Sequence, residues 1–276
     1  MRNSRIDEAG RARPWTRQRL QLLVASGSIA FVAVVIGLAV LIAHSVPTDV
    51  VVGDVATPVG GLGAPSPAEV RDQIATAQMA SVEPAAATQP DPALTPAASI
   101  HLPASVVGRG PAGVQVYGHT PEAAVAQLAA IDVAILDAMD IAYTGEVHKA
   151  WVMPGGPPLE NWDLATNVAA FLRGARQGSV KDEATTVSAV PVGGMVKGTD
   201  GPDWVVTCVL LDVRATIQTD YRMGWGHCAR MQWSDGRWQI GPGTPPAAAP
   251  SAWPNSKAAV AAGWLTWDSA EQAPVR

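Results

Sequence analysis

The chain has 276 residues, of which 48% are hydrophobic and 16% are charged, and its formal net charge is −5. The charge is unevenly placed, because residues 1–43 hold six arginines against two acidic residues, whereas residues 44–276 hold 13 basic and 22 acidic residues. An acidic region without a lysine or arginine cluster is poorly suited to nucleic acid, whose binding depends on phosphate neutralisation. We therefore expect no direct nucleic-acid partner.

The most distinctive stretch is Leu22–Ala43, which contains 22 residues without a charge or a proline. A helix rising about 1.5 Å per residue crosses roughly 30 Å of hydrocarbon over this length. Residues 1–21 are rich in arginine, which favours a cytoplasmic location for that flank. A cleaved signal peptide would have a shorter apolar core of about 7–15 residues. The sequence therefore predicts a single-pass anchor in the cell membrane, with residues 1–21 in the cytoplasm and the C-terminal domain outside it.

Small residues recur on one face of this predicted span, at Ser26, Ala30, Ala33 and Gly37. Small side chains on one face allow two membrane helices to approach closely. The pattern predicts self-association of the span, and hence a homo-oligomer. The alternative is that alanine and glycine stand here only because they are common in membrane helices.

Residues 44–113 have the composition of a linker, with ten prolines and no aromatic residue. Such a segment cannot bury enough apolar surface to offset the entropy lost on ordering. The sequence therefore predicts a disordered Pro/Ala-rich tether. One exception is expected, because Ser66 followed by Pro67 and Glu69 is typical of the start of a short helix, here reaching about Met79.

Residues 114–243 are predicted to form an extracytoplasmic domain that begins with two helices. The first starts at Thr120-Pro121-Glu122, which combines a capping hydroxyl, a proline and an acid, and it runs to about Ala142 with one broad apolar face. A break is expected over 144–156. The second helix is predicted over about 158–177.

From residue 186 the hydrophobic period changes to about two, which predicts strands at 186–192, 204–213, 223–233 and 237–240. Pro191 favours an edge position for the first of them. A bend near Gln218 would place Cys208 and Cys228 opposite each other on adjacent strands, which favours a disulfide in an oxidising compartment. The alternative is two separate buried thiols.

Residues 244–276 begin with a second Pro/Ala-rich stretch and end with Trp253, Trp264 and Trp267. A free tail has little reason to carry so much apolar surface. We therefore expect this Trp-rich tail to dock onto the domain.

Candidate chemical groups are few. The sequence has no phosphate-binding loop and no dinucleotide fingerprint, and its five histidines have no metal-ligand spacing. We therefore predict no catalytic residue, no metal and no cofactor. Asp132 is the best ligand-pocket candidate, because a carboxylate on the concave face of a sheet could act as a base with a raised pKa. The alternatives are a carboxylate at the edge of the apolar face, or one paired with Arg214, Arg222 or Arg230.

The order of the elements predicts an α+β fold in which helices pack on a curved antiparallel sheet, in the manner of a cone. Two helices followed by strands that close on the hairpin 231–240 resemble the nuclear-transport-factor-like domain. The full layout resembles single-pass proteins of Gram-positive conjugation systems and integrative elements, which are similar in plan to the inner-membrane scaffold of type IV secretion machines. Residues 116–124 and 253–264 are the segments most similar to the actinobacterial branch.

This resemblance implies a non-enzymatic, membrane-anchored assembly or adaptor subunit of a cell-envelope conjugation machine. Its expected partners are the membrane and other envelope or transfer-machine proteins. Mce-associated membrane proteins share the anchor-plus-cone plan, so a small-ligand or lipid-binding module is the alternative, with Asp132 in its pocket. A purely structural envelope protein is the third reading.

Overall fold

A computed structural model describes residues 65–270 of the chain. This part has an α+β fold, in which helices pack on one curled six-stranded sheet with the strand order β1-β6-β2-β3-β4-β5. The helices are α1 (Pro67–Thr76), α2 (Pro121–Ala138), α3 (Ile141–Trp151), α4 (Asp163–Gly174) and α5 (Lys257–Ala261), and the strands are β1 (Ser99–Leu102), β2 (Thr186–Thr199), β3 (Trp204–Thr216), β4 (Asp220–Ser234), β5 (Arg237–Ile240) and β6 (Leu265–Ser269). The predicted α+β class is confirmed.

The antiparallel strands β2, β3, β4 and β5 are the four that the sequence predicts, and three of them are longer than expected. The β3–β4 hairpin bends around residues 217–219, and its register runs from Thr216 opposite Asp220 to Trp204 opposite Gln232. Strands β1 and β6 were not expected. β6 pairs with β2 at Gly193 and Gly194, and β1 lies parallel to β6.

Helix α2 packs on the concave face of the sheet, against β2 and β3. The Thr120 hydroxyl accepts the Ala123 N–H, as the predicted capping sequence requires. The helix ends at Ala138, earlier than predicted, because Met139 takes a left-handed conformation (φ 43°). Asp140 then accepts the N–H groups of Ala142 and Tyr143 and thereby begins α3 at Ile141, before the predicted break. The helix continues to Trp151 and so occupies much of the stretch 144–156 where a break was expected.

The predicted disordered tether is wrong for residues 65–113. Helix α1 begins with the expected cap, in which Ser66 and Glu69 accept each other's backbone N–H groups. The following residues lie on the convex face of the sheet and lead into β1. Residues 65–98 and 244–264 together form what we call the outer layer.

Backbone hydrogen bonds join the two halves of the outer layer. The N–H of Trp253 donates to Ala86 O (2.6 Å), that of Ala247 to Ala75 O (2.9 Å) and that of Lys257 to Asp91 O (2.8 Å). The layer and the sheet together form a second apolar cluster, to which the sheet contributes Cys208, Leu210 and Cys228 and the layer contributes Ala252, Ala259, Ala262 and Trp264. Alanine and proline are sufficient for this role, because a segment that lies on a preformed apolar sheet needs no core of its own.

Two glycines of β4 make room for the outer layer. A Cβ atom at Gly224 would lie 1.8 Å from Ala252 O, and one at Gly226 would lie 2.8 Å from Pro250 O. These contacts are with backbone, which cannot rotate away as a side chain can. Residues 250–252 can therefore pass this close to β4 because both positions are glycine.

Pro191 has the predicted edge position locally, because the first part of β2 pairs only with β3, although β2 as a whole lies between β6 and β3. The residue also sits at a register shift between β2 and β3. β6 pairs with β2 only beyond this point, at Gly193 and Gly194. In the part of β2 before Gly193, two features replace pairing with a strand on this side. The Asp137 carboxylate accepts the N–H of Ala189 at 2.7 Å, and Pro191 has no N–H that needs an acceptor.

Among residues 65–270, no helix combines the length and the apolar character that a membrane crossing requires. The predicted cytoplasmic tail and the span at 22–43, with Ser26, Ala30, Ala33 and Gly37, lie outside the described residues. Residues 44–64 of the predicted tether and residues 271–276 of the tail also lie outside them.

We predict that Gly224→Val displaces the outer layer from the sheet, because its side chain would occupy the position of the Ala252 carbonyl. The free energy of unfolding should fall by about 1–3 kcal/mol. Urea unfolding followed by tryptophan fluorescence measures this loss. Gly178→Ala is the matched control, since nothing lies within 4 Å of its added Cβ. Equal stability of the two variants would contradict the close approach.

Candidate functional site

The predicted ligand-pocket residue, Asp132, lies in the interior and pairs with His227. Asp132 projects from the middle of α2, and the Nδ1 atom of His227 lies 2.9 and 3.1 Å from its two carboxylate oxygens. The imidazole also stacks on Trp225, with ring centroids 5.2 Å apart. Asp132 is 0% exposed and His227 is 7% exposed.

The predicted alternative of an arginine partner for Asp132 is wrong. Successive residues of a strand face opposite sides of a sheet, and His227 faces the helices. The even-numbered Arg214, Arg222 and Arg230 belong to the opposite face of β3 and β4. Arg214 and Arg222 bind Asp212, and Arg230 binds Asp72.

Burial and charge act together on the two titratable groups. Burial raises the pKa of Asp132, although the charge and hydrogen bond of His227 oppose the rise. Burial alone would lower the pKa of His227, but the charge and hydrogen bond of Asp132, with the charge of Asp163, outweigh it and raise that pKa. Both groups therefore hold their protons more tightly in the folded chain than in the unfolded chain.

Asp132 lies on a helix that packs in the main core, which contains apolar side chains from α2, α4 and the sheet, including Leu128, Ile131, Ile135, Leu164, Val168 and Val209, each at most 2% exposed. The carboxylate therefore does not line an open pocket. A cavity of about 10 Å³, which is room for one water molecule, lies elsewhere, between the sheet and the outer layer, near Val192, Leu210 and Trp264. Within residues 65–270, no cluster of three metal-ligating side chains is present.

The two cysteines form a disulfide, as the predicted register requires. Cys208 lies opposite Cys228 in the β3–β4 hairpin, and their Cα atoms are 4.0 Å apart. The bond lies on the convex face of the sheet. The Sδ atom of Met79, from the outer layer, covers it at 3.8 and 3.6 Å from the two sulfur atoms.

Besides the ion pair between Arg71 and Asp200 at 2.6 Å, charged groups connect the outer layer to the sheet at two places within residues 65–270. Asp212, 5% exposed at the side chain, binds both Arg214 and Arg222, and the guanidinium of Arg222 lies 4.5 Å from the ring centre of Trp253. Burial raises the pKa of Asp212, but the hydrogen bonds and charges of the two arginines outweigh it and lower that pKa.

At the second place, Arg230 binds the Asp72 carboxylate of α1 at 2.5 Å and lies over the ring of Trp204. Only 6% of the Arg230 side chain is exposed. The hydrogen bond from Arg230 lowers the pKa of Asp72, although burial opposes the shift. This contact therefore fixes α1 to the sheet through a charged pair.

Sequence reasoning missed His227 as the partner of Asp132. The available signal was the register of β4, since Trp225, His227 and Ala229 share one face while Cys228 faces the other way. That register predicts that His227 lies on the face of the sheet on which the helices pack. The exact pairing depends on how α2 crosses the sheet, which the sequence pattern does not specify.

Comparison with sequence models of protein families, with curated proteins and with solved structures gave no match. The chemistry of the described residues therefore has to be argued from their geometry alone. Within residues 65–270, that geometry includes a buried acid–base pair, a covered disulfide and charged contacts with the outer layer.

We predict that Asp132→Leu and His227→Leu each lower the free energy of unfolding by about 3–5 kcal/mol, because each leaves one buried polar group without its partner. The double variant should lose much less than the sum. Urea unfolding of the four chains measures the coupling. Additive losses would contradict a direct pair.

We also predict that the pair makes stability depend on pH. The raised pKa of His227 contributes stability that is complete below its ordinary value of 6.5 and is lost as pH rises through its higher folded value. The raised pKa of Asp132 acts in the same direction, because the folded chain binds that proton more tightly. Between pH 6.5 and pH 9, the unfolding free energy should therefore fall less in the double variant Asp132→Leu with His227→Leu than in the unmodified chain, because the double variant lacks both groups. An unchanged slope would contradict this assignment.

Proposed function

We propose that the chain is a non-enzymatic, membrane-anchored assembly or adaptor subunit of a cell-envelope conjugation machine of the type IV secretion kind. The support from the sequence is the predicted span at 22–43, its arginine-rich flank and the resemblance in layout. The predicted membrane location places the domain of residues 65–270 outside the cytoplasm, where a disulfide between Cys208 and Cys228 is stable.

The observation that carries the proposal is the filled concave face. An enzyme with helices packed on a curled sheet in this way would need a cleft that brings substrate to Asp132. Asp132 is instead 0% exposed, and its carboxylate is occupied by His227. A domain without access to its interior acts through its surface, which favours protein binding over catalysis.

The outer layer also supports a role as an assembly subunit. It fixes residues 65–98 to the sheet, so only 23 residues separate the end of the predicted span at Ala43 from the start of α1 at Pro67. A chain of this length spans at most about 80 Å when fully extended. The proposed subunit therefore presents its surface within a limited distance of the membrane.

A small-ligand or lipid-binding module is the second candidate, and the Asp132–His227 pair is the observation that favours it. A carboxylate with a raised pKa beside a histidine is typical of acid–base sites. This function would require α2 to move away from β3 and β4 to admit a ligand. The closed packing around Asp132 argues against it.

Partner identification tests the proposal. The full-length chain is crosslinked in native membranes, purified in mild detergent and analysed by mass spectrometry, with membranes that lack the chain as the control. Recovery of a DNA-translocating ATPase with other membrane subunits supports the proposal. Recovery of transporter subunits, or of the chain alone with a bound hydrophobic molecule, contradicts it.

We further predict that the double variant Asp132→Leu with His227→Leu recovers the same partners as the unmodified chain, because the pair lies under the surface that partners contact. A ligand-binding module would instead lose its function in this variant. Parallel purifications, matched for the amount of folded chain by tryptophan fluorescence, measure the difference. Loss of partners from a folded double variant would favour the ligand-binding candidate.

A further inference from the structure

The disulfide between Cys208 and Cys228 is almost closed off from solvent. Cys208 is 0% exposed and Cys228 is 9% exposed. The Sδ atom of Met79 lies 3.8 Å from the Sγ atom of Cys208 and 3.6 Å from that of Cys228, so one thioether lies against both sulfur atoms. Thiol–disulfide exchange requires that the attacking sulfur reach one sulfur of the disulfide. Movement of Met79 would therefore open this bond to a thiol in solution.

Met79 lies in a short stretch between two fixed points of the outer layer. The carbonyl groups of Ala75 and Ala86 each accept an N–H group from the second half of the layer, at 2.9 and 2.6 Å. Between these points, residues 78–82 make no backbone hydrogen bond to the sheet or to the rest of the outer layer, as far as the described part of the chain extends. We call residues 78–82 the disulfide lid.

Side-chain packing holds the disulfide lid in place. Met79 and Val82 are partly buried against the second apolar cluster, whereas Gln78, Ala80 and Ser81 are exposed. A thioether side chain is flexible and polarisable, and it packs well on an irregular surface. A segment with few buried contacts and no backbone hydrogen bonds to its support opens at a lower free-energy cost than a strand of the sheet.

Other neighbours of the disulfide are fixed more firmly. Met195 lies opposite Cys208 in the pairing of β2 with β3, and Leu210 belongs to β3 itself. On the side of the outer layer, the indole Nε1–H of Trp264 donates to Pro250 O at 3.0 Å. The disulfide lid is therefore the part of the cover that can move while the sheet and the rest of the layer stay in place.

We propose that the disulfide lid controls the access of thiols to the bond between Cys208 and Cys228, through a local opening of residues 78–82. In the open form, a thiolate of a dithiol reductant bonds to one cysteine sulfur, and the electron pair of the S–S bond leaves on the other sulfur, which takes a proton. The second thiol of the reductant then displaces the first cysteine as a thiol and closes the reductant's own disulfide. Two electrons and two protons pass to the chain in total.

This inference goes beyond the proposed function and does not depend on it. It assigns a redox site to the convex face of the sheet, with a dithiol as the class of reactant. The lid sets the rate at which the site reacts.

Reduction of the folded full-length chain by dithiothreitol, in mild detergent, tests the proposal. Thiols that form are trapped with a maleimide and counted by mass spectrometry over time. Met79→Ala should speed up the reduction about tenfold, because it removes the atoms that lie against both sulfurs. Met79→Leu keeps most of the side-chain volume and should react at nearly the rate of the unmodified chain. If Met79→Ala reacts no faster than Met79→Leu, the proposal is overturned.

Met223→Ala is the matched control for a loss of stability. Met223 belongs to the same strand as Cys228, but it packs against the main core on the opposite face of the sheet. Its truncation lowers the stability of the fold without uncovering the disulfide, so the reduction rate should stay nearly unchanged. A rise equal to that of Met79→Ala would show that reduction follows the loss of stability, and it would overturn the role of the lid.

The dependence of the reduction rate on urea separates local opening from global unfolding. Local opening exposes little surface, so the logarithm of the rate in the unmodified chain should change only weakly with urea below the unfolding transition. Global unfolding would instead give a slope as steep as that of the equilibrium unfolding free energy. A slope of that size would overturn the local opening of residues 78–82.

Discussion

The structure depends on a sheet that is apolar on both faces. Strand β3 is buried without interruption from Trp204 to Asp212, and residues on each face therefore require cover. Helix α2 and its neighbours cover the concave face. The convex face, with the disulfide and Leu210, would expose a large apolar surface if the outer layer were absent. The burial of this second face offsets the entropy that Pro/Ala-rich residues lose when they become ordered.

Local signals predicted a large part of the fold. Caps placed the starts of α1 and α2, alternation placed β2 to β5, and the length of the β3–β4 hairpin placed Cys208 opposite Cys228. The compositional argument failed for residues 65–113 because it considers only the surface that a segment buries within itself. Residues 65–98 instead cover a sheet with which their side-chain and backbone contacts span 122 to 158 positions of the chain. Strands β1 and β6 were missed for the same reason, since each is short and pairs with strands that are distant in the sequence.

Of the two residues in the candidate site, Asp132 could be predicted from the sequence and His227 could not. Asp132 stood out because it is a carboxylate on an apolar helix face, but its partner depends on a contact 95 positions along the chain. The same long-range contact changes the interpretation of the residue. A carboxylate that could have been a base in an open cone is instead a buried member of a pair that joins α2 to β4. Its chemistry is therefore expressed in stability and pH dependence.

The account rests on a domain that is closed on both faces, and amide hydrogen exchange of the full-length chain in detergent tests this most directly. Residues 65–98 and 244–264 should exchange slowly, with protection at the hydrogen-bonded N–H groups of Ala247, Trp253 and Lys257. Their protection should be lost together with that of β3 when the chain unfolds. Exchange at the rate of a free peptide in these segments, with β3 still protected, would contradict the account.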